Sequence, residues 1–420
     1  MTDAYRMTTL ANGLRVVTET MPRLETAAIG IWVDVGSRHE KAEVNGVAHM
    51  LEHMAFKGTT RRNARRIAEE IEDVGGSLNA YTSRERTAYY ARLLADDVPL
   101  AADMLADILQ HSTFDETELE KERNVVLQEI GEVDDTPSDL VFDLFQETAY
   151  PDQAIGRSIL GPEHIVEAMP REALLDYVKD HYAGARMLLS ASGKVEHEAV
   201  VRLAEDLLGD LPAGTPAAIE PAAYRGGERR EARDLEQVHI CLGVEAFAYT
   251  DPDYYALQVF CAALGGGMSS RLFQNVREDL GLCYSIYSFT DLYRDSGVLG
   301  VYAGTGAEDV GRMMPVICDE MRHLAETIGP VELARAKAQM KAGQMMALEG
   351  CLSVCQDMAG QHLCFGDRLS AAELAARIEA VDRDAIERVG HRLFHGRTRP
   401  TLTAIGPEKG LPDMESLKGL

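Results

Sequence analysis

The sequence predicts an α+β protein of two similar domains, each a mainly antiparallel β-sheet with helices packed on it. Three features lead there. The chain has 420 residues, 46% of them hydrophobic, which is enough apolar material for two cores of ordinary domain size. Short runs rich in β-branched and aromatic residues alternate along it with segments of helical apolar spacing. A stretch without periodicity, from Leu211 to Gly227, carries Pro212, Pro216 and Pro221 and divides the chain near its middle. The expected division is a first domain over 1–211, a linker over 212–234 and a second domain over 235–420.

In the first half, Thr8–Thr18 reads as a hairpin turning at Asn12-Gly13, a dipeptide that tolerates the positive φ of a tight turn. Ala27–Val35 is an apolar run of strand length. A helix is expected to begin near Asn45-Gly46 and to close at Gly58 as its C-cap. Arg65–Val74 has helical spacing and stops at Gly75-Gly76, and Ser77–Leu94, rich in Tyr and Thr, reads as two strands. Helices are expected over Val98–Leu109 and Thr117–Glu132, and from Pro137 to near Thr148. Pro170 is placed as the first residue of a helix ending near Tyr182. Met187–Ser192 is a strand and Val200–Leu211 a helix.

The second half starts again with a strand at Val238–Val244 and an apolar helix over Asp253–Leu264, followed by Gly265-Gly266-Gly267. A helix over Arg271–Asp279, strands at Gly281–Phe289 and Val298–Tyr302, and long helices near 309–325 and 331–349 come next. The pattern of helix, glycine and polar-aromatic strand in Leu272–Tyr293 repeats that of Ile67–Tyr90, which points to an internal duplication.

Lys and Arg number 42 against 68 Asp and Glu, a net charge of −26. So acidic a surface disfavours nucleic acid and anionic membrane as partners and would favour basic peptides, although solubility alone accounts for the acidity equally well. No hydrophobic run reaches the length of a membrane span, and the start Met1-Thr2-Asp3-Ala4-Tyr5-Arg6 has no apolar signal region. The seven cysteines all follow residue 240, in odd number and without a CxxC pair, as expected of reduced thiols in a cytoplasmic protein. Cys351 and Cys355 read as small core residues.

The chemistry concentrates in Val47–Phe56, where His49, Glu52 and His53 stand in the order H-x-x-E-H. On a helix, His49 and His53 lie one turn apart on one face with Glu52 close beside them. Two neutral imidazoles so placed can share a Zn²⁺, and the carboxylate can take a proton from water activated there. The same pattern also suits an amphipathic helix with two ordinary, partly buried histidines. A zinc site needs a third protein ligand. The charged helix Thr117–Glu132 offers candidates, with Glu122 and Glu129 seven positions apart and so on one face.

With Glu129 in the setting E-R-x-V-x-x-x-E, this H-x-x-E-H resembles the M16 (pitrilysin or inverzincin) metallopeptidases. Within them it is most similar to the M16B branch, that of the mitochondrial processing peptidase β-subunit and its bacterial relatives. The likeness covers nearly the whole chain. It includes His49–Thr59 (HMLEHMAFKGT), Leu78–Arg84 (LNAYTSR), Tyr89–Arg92, Gly156–Gly161 and Arg335–Lys341.

The resemblance implies two cupped domains that form half of a clamshell chamber. It implies one Zn²⁺ per subunit, held by His49, His53 and Glu129, with Glu52 as general base. Glu122 is implied to hydrogen-bond a ligand histidine and fix its tautomer. Asn79, Ala80 and Tyr81 fall in a segment that in the family is an edge strand holding extended substrate by main-chain hydrogen bonds. Arg277 and Tyr284 match the family's R/Y pair, which contacts the substrate carbonyl and can stabilise an oxyanion. One zinc set and one such pair per chain imply a homodimer whose subunits lend each other the pair, or a heterodimer with a related chain. Asp139 and Asp143 match acidic positions that receive a basic residue just before the cleavage site. The expected function is a zinc-dependent endopeptidase acting on unfolded peptides or oligopeptides enclosed in a dimeric chamber. The alternative is a catalytically silent structural or partner subunit of such an assembly, against which the intact His49, Glu52, His53 and Glu129 argue.

Overall fold

A computed structural model describes residues 4–216, 218–394, 399–417 and 420 of the chain. The hairpin at Asn12-Gly13 forms as expected: Gly13 takes a φ of 88°, and β1 (Tyr5–Thr9) pairs antiparallel with β2 (Arg15–Thr20). Then come β3 (Thr26–Val33), α1 (Val47–Ala55), α2 (Ala64–Glu72), β4 (Ser77–Thr82), β5 (Thr87–Leu94) and α3 (Val98–Gln110). They are followed by α4 (Glu116–Asp134), α5 (Pro137–Ala149), α6 (Glu163–Ala168), α7 (Arg171–His181), β6 (Met187–Gly193) and α8 (His197–Leu208). The strands make a sheet in the order β1-β2-β6-β3-β5-β4, antiparallel except between β2 and β6.

The second half contributes β7 (Gly227–Glu231), β8 (Gln237–Ala246), α9 (Tyr254–Gly265) and a π-wound turn at Phe273–Asp279. After these come β9 (Ser285–Leu292), β10 (Gly297–Gly306), α10 (Val310–Thr327), α11 (Pro330–Ala347) and α12 (Cys351–Phe365). The chain ends with α13 (Ala371–Glu379), α14 (Arg383–Phe394) and β11 (Thr401–Ile405). Its sheet runs β7-β11-β8-β10-β9, with β7–β11 parallel and the other pairs antiparallel. Strand for strand this is β2-β6-β3-β5-β4, with the one parallel pair at the same end. The duplication is plain in topology where the sequence repeats only faintly. No helix among the described residues is long and apolar enough to cross a membrane.

β3 shows why each sheet needs helices on both faces. Its side chains alternate. Ala27, Ile29, Ile31 and Val33 join a core with residues of α1 and α3, whereas Ala28 and Trp32 join a second cluster. That second cluster is filled by Cys351, Val354, Cys355, Met358 and Ala359, the apolar stripe of α12. The other sheet repeats the arrangement. Leu299, Val301 and Ala303 of β10 face α9 and α10, and Val298 and Tyr302 meet Val141, Leu144 and Phe145 of α5.

The chain therefore folds as two compact units that are not its linear halves. One comprises Met1–Gly131, Arg157–Glu220 and Ala347–Arg368, and the other Glu132–Gly156, Pro221–Met346 and Leu369–Leu420. Each sheet takes one covering helix from the other half of the sequence, α12 for the first and α5 for the second. Apolar spacing marks these segments as helices but says nothing about which sheet they cover.

Smaller departures have local causes. Within the expected linker 212–234, Gly227–Glu231 is strand β7. It is an edge strand with Glu228 and Arg229 exposed, so it needs no apolar alternation to be recognised by its neighbour. Gly58 does not cap α1, because Phe56 does, and Gly58 at a φ of 133° instead bridges to Asn63. Pro170 is the N-cap of α7 and not its first helical residue. Cys351 and Cys355 are buried and unpaired, as their reading as core residues required.

Candidate metal centre

α1 buries Val47, Ala48, Met50, Leu51, Met54 and Ala55 and leaves His49, Glu52 and His53 together on the remaining face. Its start is held closely. Gly46 takes a φ of 97°, and a Cβ there would stand 2.6 Å from the carbonyl oxygen of Leu160, so only glycine fits. The carboxylate of Glu40 is buried beneath this point. It accepts hydrogen bonds from the Gly46 N–H (2.8 Å), the Ala48 N–H (2.8 Å) and Asn45 Nδ2 (2.7 Å). Its oxygens satisfy N–H groups that the helix itself cannot, while burial, opposed by these hydrogen bonds, pushes the carboxyl up to about 7.

α4 brings the carboxylates. Glu122 Oε2 lies 3.1 Å from His53 Nδ1, and Glu122 Oε1 lies 2.7 Å from Lys57 Nζ. Glu129 Oε2 lies 3.6 Å from His49 Nε2 and 3.5 Å from His53 Nε2. The two imidazoles meet edge to face with centroids 4.7 Å apart. One ligand atom from each of His49, His53 and Glu129 lies within 4.8 Å of the other two.

These spacings fit zinc. Ligand bonds of roughly 2.0–2.2 Å at tetrahedral angles separate donor atoms by about 3.3–3.5 Å. The Glu129 oxygen already stands near that separation from both nitrogens, and two imidazoles with one carboxylate are a donor set that zinc accepts. Burial, and after it the neighbouring His53, pulls the His49 imidazole down to about 4, so at neutral pH it is uncharged and can donate to a metal.

Glu52 points beside this set. Burial pushes its carboxyl above the ordinary range, opposed by the Thr82 hydroxyl, which donates to Glu52 Oε2 at 2.6 Å. Thr82 ends β4, which pairs with β5 and is the outermost strand of its sheet. Alternation puts Leu78, Ala80 and Thr82 on the α1 side, and Asn79 and Tyr81 on the other. The Tyr81 hydroxyl accepts a hydrogen bond from Trp32 Nε1 at 3.1 Å.

The structure thus brings His49, Glu52, His53, Glu122 and Glu129 together in one unit, with β4 adjoining them through Thr82. Arg277 and Tyr284 stand together in the other unit. The guanidinium lies 4.5 Å from the Phe273 ring centroid and 5.0 Å from that of Tyr284, whose side chain is largely exposed. Asp139 and Asp143 are on α5 in that same unit. Burial raises the nearby Tyr287 and Tyr302 phenols, and Asp139 is among the charges that add to the effect.

Sequence reasoning missed Glu40, Lys57 and Thr82. Strand alternation alone could place Thr82 with Ala80 on one face, but no spacing says that this face meets Glu52. Glu40 and Lys57 lie outside the motif and act through contacts that only folding creates.

Two imidazoles and a carboxylate at zinc-ligand spacing, with a second carboxylate beside them, are a donor set that could hold a metal ion. Comparison with known proteins narrows the class. Residues 15–163 match the family model described as Insulinase (Peptidase family M16), and residues 168–340 match the Peptidase M16 inactive domain. The chain is 39% identical over 425 residues to the mitochondrial-processing peptidase subunit beta of Mus musculus, covering 98% of this chain and 86% of that one. It is 40% identical over 414 residues to an uncharacterized zinc protease of Streptomyces coelicolor, covering 96% and 90%. A protease from Helicobacter pylori shares the fold, with a TM-score of 0.88 at 22% identity over 96% of this chain and 99% of that one. The chain belongs to the M16 peptidase family.

His49→Ala and Glu129→Gln each remove one of the three candidate ligands. Zinc per chain, measured by elemental analysis of the purified variants, is expected to fall well below the wild-type value. Variants that keep full zinc content would show that these residues do not form the site.

Proposed function

We propose that this protein is a zinc-dependent endopeptidase that hydrolyses unfolded peptides and oligopeptides. The observation that carries the reading is the convergence of His49, His53 and Glu129 with Glu52 in the same unit, next to an edge strand. Membership of a peptidase family, with relatives named as zinc protease and processing peptidase, supports it.

One Zn²⁺ per subunit, held by His49, His53 and Glu129, would polarise a peptide carbonyl and make water more acidic. Glu52 accepts the proton of the attacking water and returns it to the leaving amine. The Thr82 hydroxyl keeps that carboxylate aimed, and Glu122 accepts from His53 Nδ1–H, leaving Nε2 free to face Glu129. An extended peptide adds to β4 through the main chain of Asn79, Ala80 and Tyr81. Because the Tyr81 hydroxyl is already bound to Trp32, recognition there rests on backbone groups common to all peptides.

Glu52→Gln is expected to keep its zinc while cleavage of a quenched fluorescent peptide drops by about 10²–10⁴-fold, the usual worth of a general base. A zinc-loaded wild type that cleaves no better than this variant would favour the silent-subunit reading. Only the ionised form of Glu52 is a base, so kcat/KM is expected to fall on the acid side as its carboxyl takes up a proton. Thr82→Val removes a donor that favours the ionised form, and should move the midpoint of that fall to higher pH.

Arg277 and Tyr284 complete the reading as stabilisers of the carbonyl oxygen when it gains charge. With one metal set and one such pair per chain, we take the working form to be a homodimer that encloses its substrate and exchanges these pairs. The relative named as a subunit supports assembly and keeps a heterodimer with a related chain as the second arrangement. Mixing inactive Glu52→Gln and Arg277→Ala subunits is expected to restore activity. No recovery, with subunit exchange verified by native mass measurement, would count against exchanged pairs.

Asp139 and Asp143 would attract a basic substrate residue. Replacing both by Asn is then expected to slow cleavage of Arg-containing peptides selectively, and an equal loss for peptides without Arg would sink that role.

A further inference from the structure

Lys57 follows the C-cap of α1, where its backbone N–H donates to the carbonyl of Met54 at 3.2 Å. Its ammonium stands 2.7 Å from Glu122 Oε1, while Glu122 Oε2 stands 3.1 Å from His53 Nδ1. The Glu122 side chain is only 6% exposed. The carboxylate is therefore clamped with one oxygen on the lysine and the other on the histidine. A buried carboxylate oxygen without a donor is strongly disfavoured, so the lysine decides whether Glu122 keeps the rotamer that presents Oε2 to His53.

The two candidate ligand histidines differ in this respect. His49 Nδ1 is buried and finds no hydrogen-bond partner among the described residues. Of the two, only His53 has its outer nitrogen held, by the same Glu122 that Lys57 contacts. Lys57 also supplies a positive charge to a cluster otherwise holding the carboxylates of Glu52, Glu122 and Glu129.

We propose that Lys57 is a positioning residue of the metal centre. Acting through Glu122, it fixes the orientation and tautomer of His53 and thereby the affinity for zinc. This rests on the reading of His49, His53 and Glu129 as zinc ligands. Lys57 does not touch substrate or the reacting atoms.

The test is zinc affinity of the full chain, measured by competition with a chromophoric chelator at one pH. Lys57→Met should weaken binding by about 10–100-fold, the usual cost of losing the support behind a metal-bound histidine. Lys57→Ala should do the same and guards against a fault peculiar to methionine. Lys57→Arg restores a donor and a charge and should bind within a few-fold of the wild type, which a general packing defect would not allow. Because Lys57 acts through Glu122, the double variant Lys57→Met with Glu122→Gln should be no weaker than Glu122→Gln alone. Lys194→Met, at an exposed pair with Glu25 away from the centre, should leave affinity unchanged. Lys57 is 30% exposed at a helix end, so these variants are expected to keep the wild-type circular dichroism. Wild-type affinity in Lys57→Met, or losses that add in the double variant, would overturn the proposal. A wild type that binds no zinc would instead overturn the zinc reading, and this proposal with it.

Discussion

The carboxylate of Glu40 lies buried under the first turn of α1 and accepts the N–H groups of Gly46 and Ala48. That contact decides where the helix begins, and the start of a helix sets the direction of every side chain along it. Gly46 adds a steric lock, since its backbone passes too close to Leu160 for any larger residue. With the apolar face of α1 pressed into the core, His49, Glu52 and His53 can point only one way. At the far end, Lys57 reaches to Glu122 and ties α1 to α4. The helix is thus held at its start by an acceptor for its free N–H groups and beyond its end by a lysine tied to the neighbouring helix.

From this the chemistry follows. Glu122 and Glu129 approach the imidazoles from a second helix, so the site depends on the packing of α1 against α4 and not on either helix alone. Glu52 answers to a third element, through Thr82 at the end of β4. The edge strand β4 and the Glu52 carboxylate are therefore linked by one hydrogen bond.

The duplicated architecture explains why one unit carries this centre. α9 occupies in the second unit the place that α1 has in the first, between the matching strands of the two sheets. Its sequence, Tyr254–Gly265, is apolar nearly throughout and contains no histidine. The second unit has the scaffold without the histidines. The reciprocal loan of α5 and α12 has an equally simple origin: a sheet buried on both faces needs apolar cover on both, and either half of the chain can provide it.

Residues close in sequence were legible from sequence because helical and strand periods are local properties. The one-turn spacing of His49 and His53, the seven-residue spacing of Glu122 and Glu129 and most helix and strand segments up to α11 could be read from the chain itself. The meeting of α1 with α4 was an expectation from the family resemblance, and in the structure one ligand atom from each of His49, His53 and Glu129 lies within 4.8 Å of the other two. What only the tertiary structure decided are contacts between segments with no shared period. These are Glu40 under α1, Lys57 on Glu122, Thr82 on Glu52, charged β7 in a sheet, and the exchange of α5 and α12. Periodicity says which face of an element is apolar or polar. It carries no information about the element that will lie opposite, because that is set by how the whole chain buries its surface.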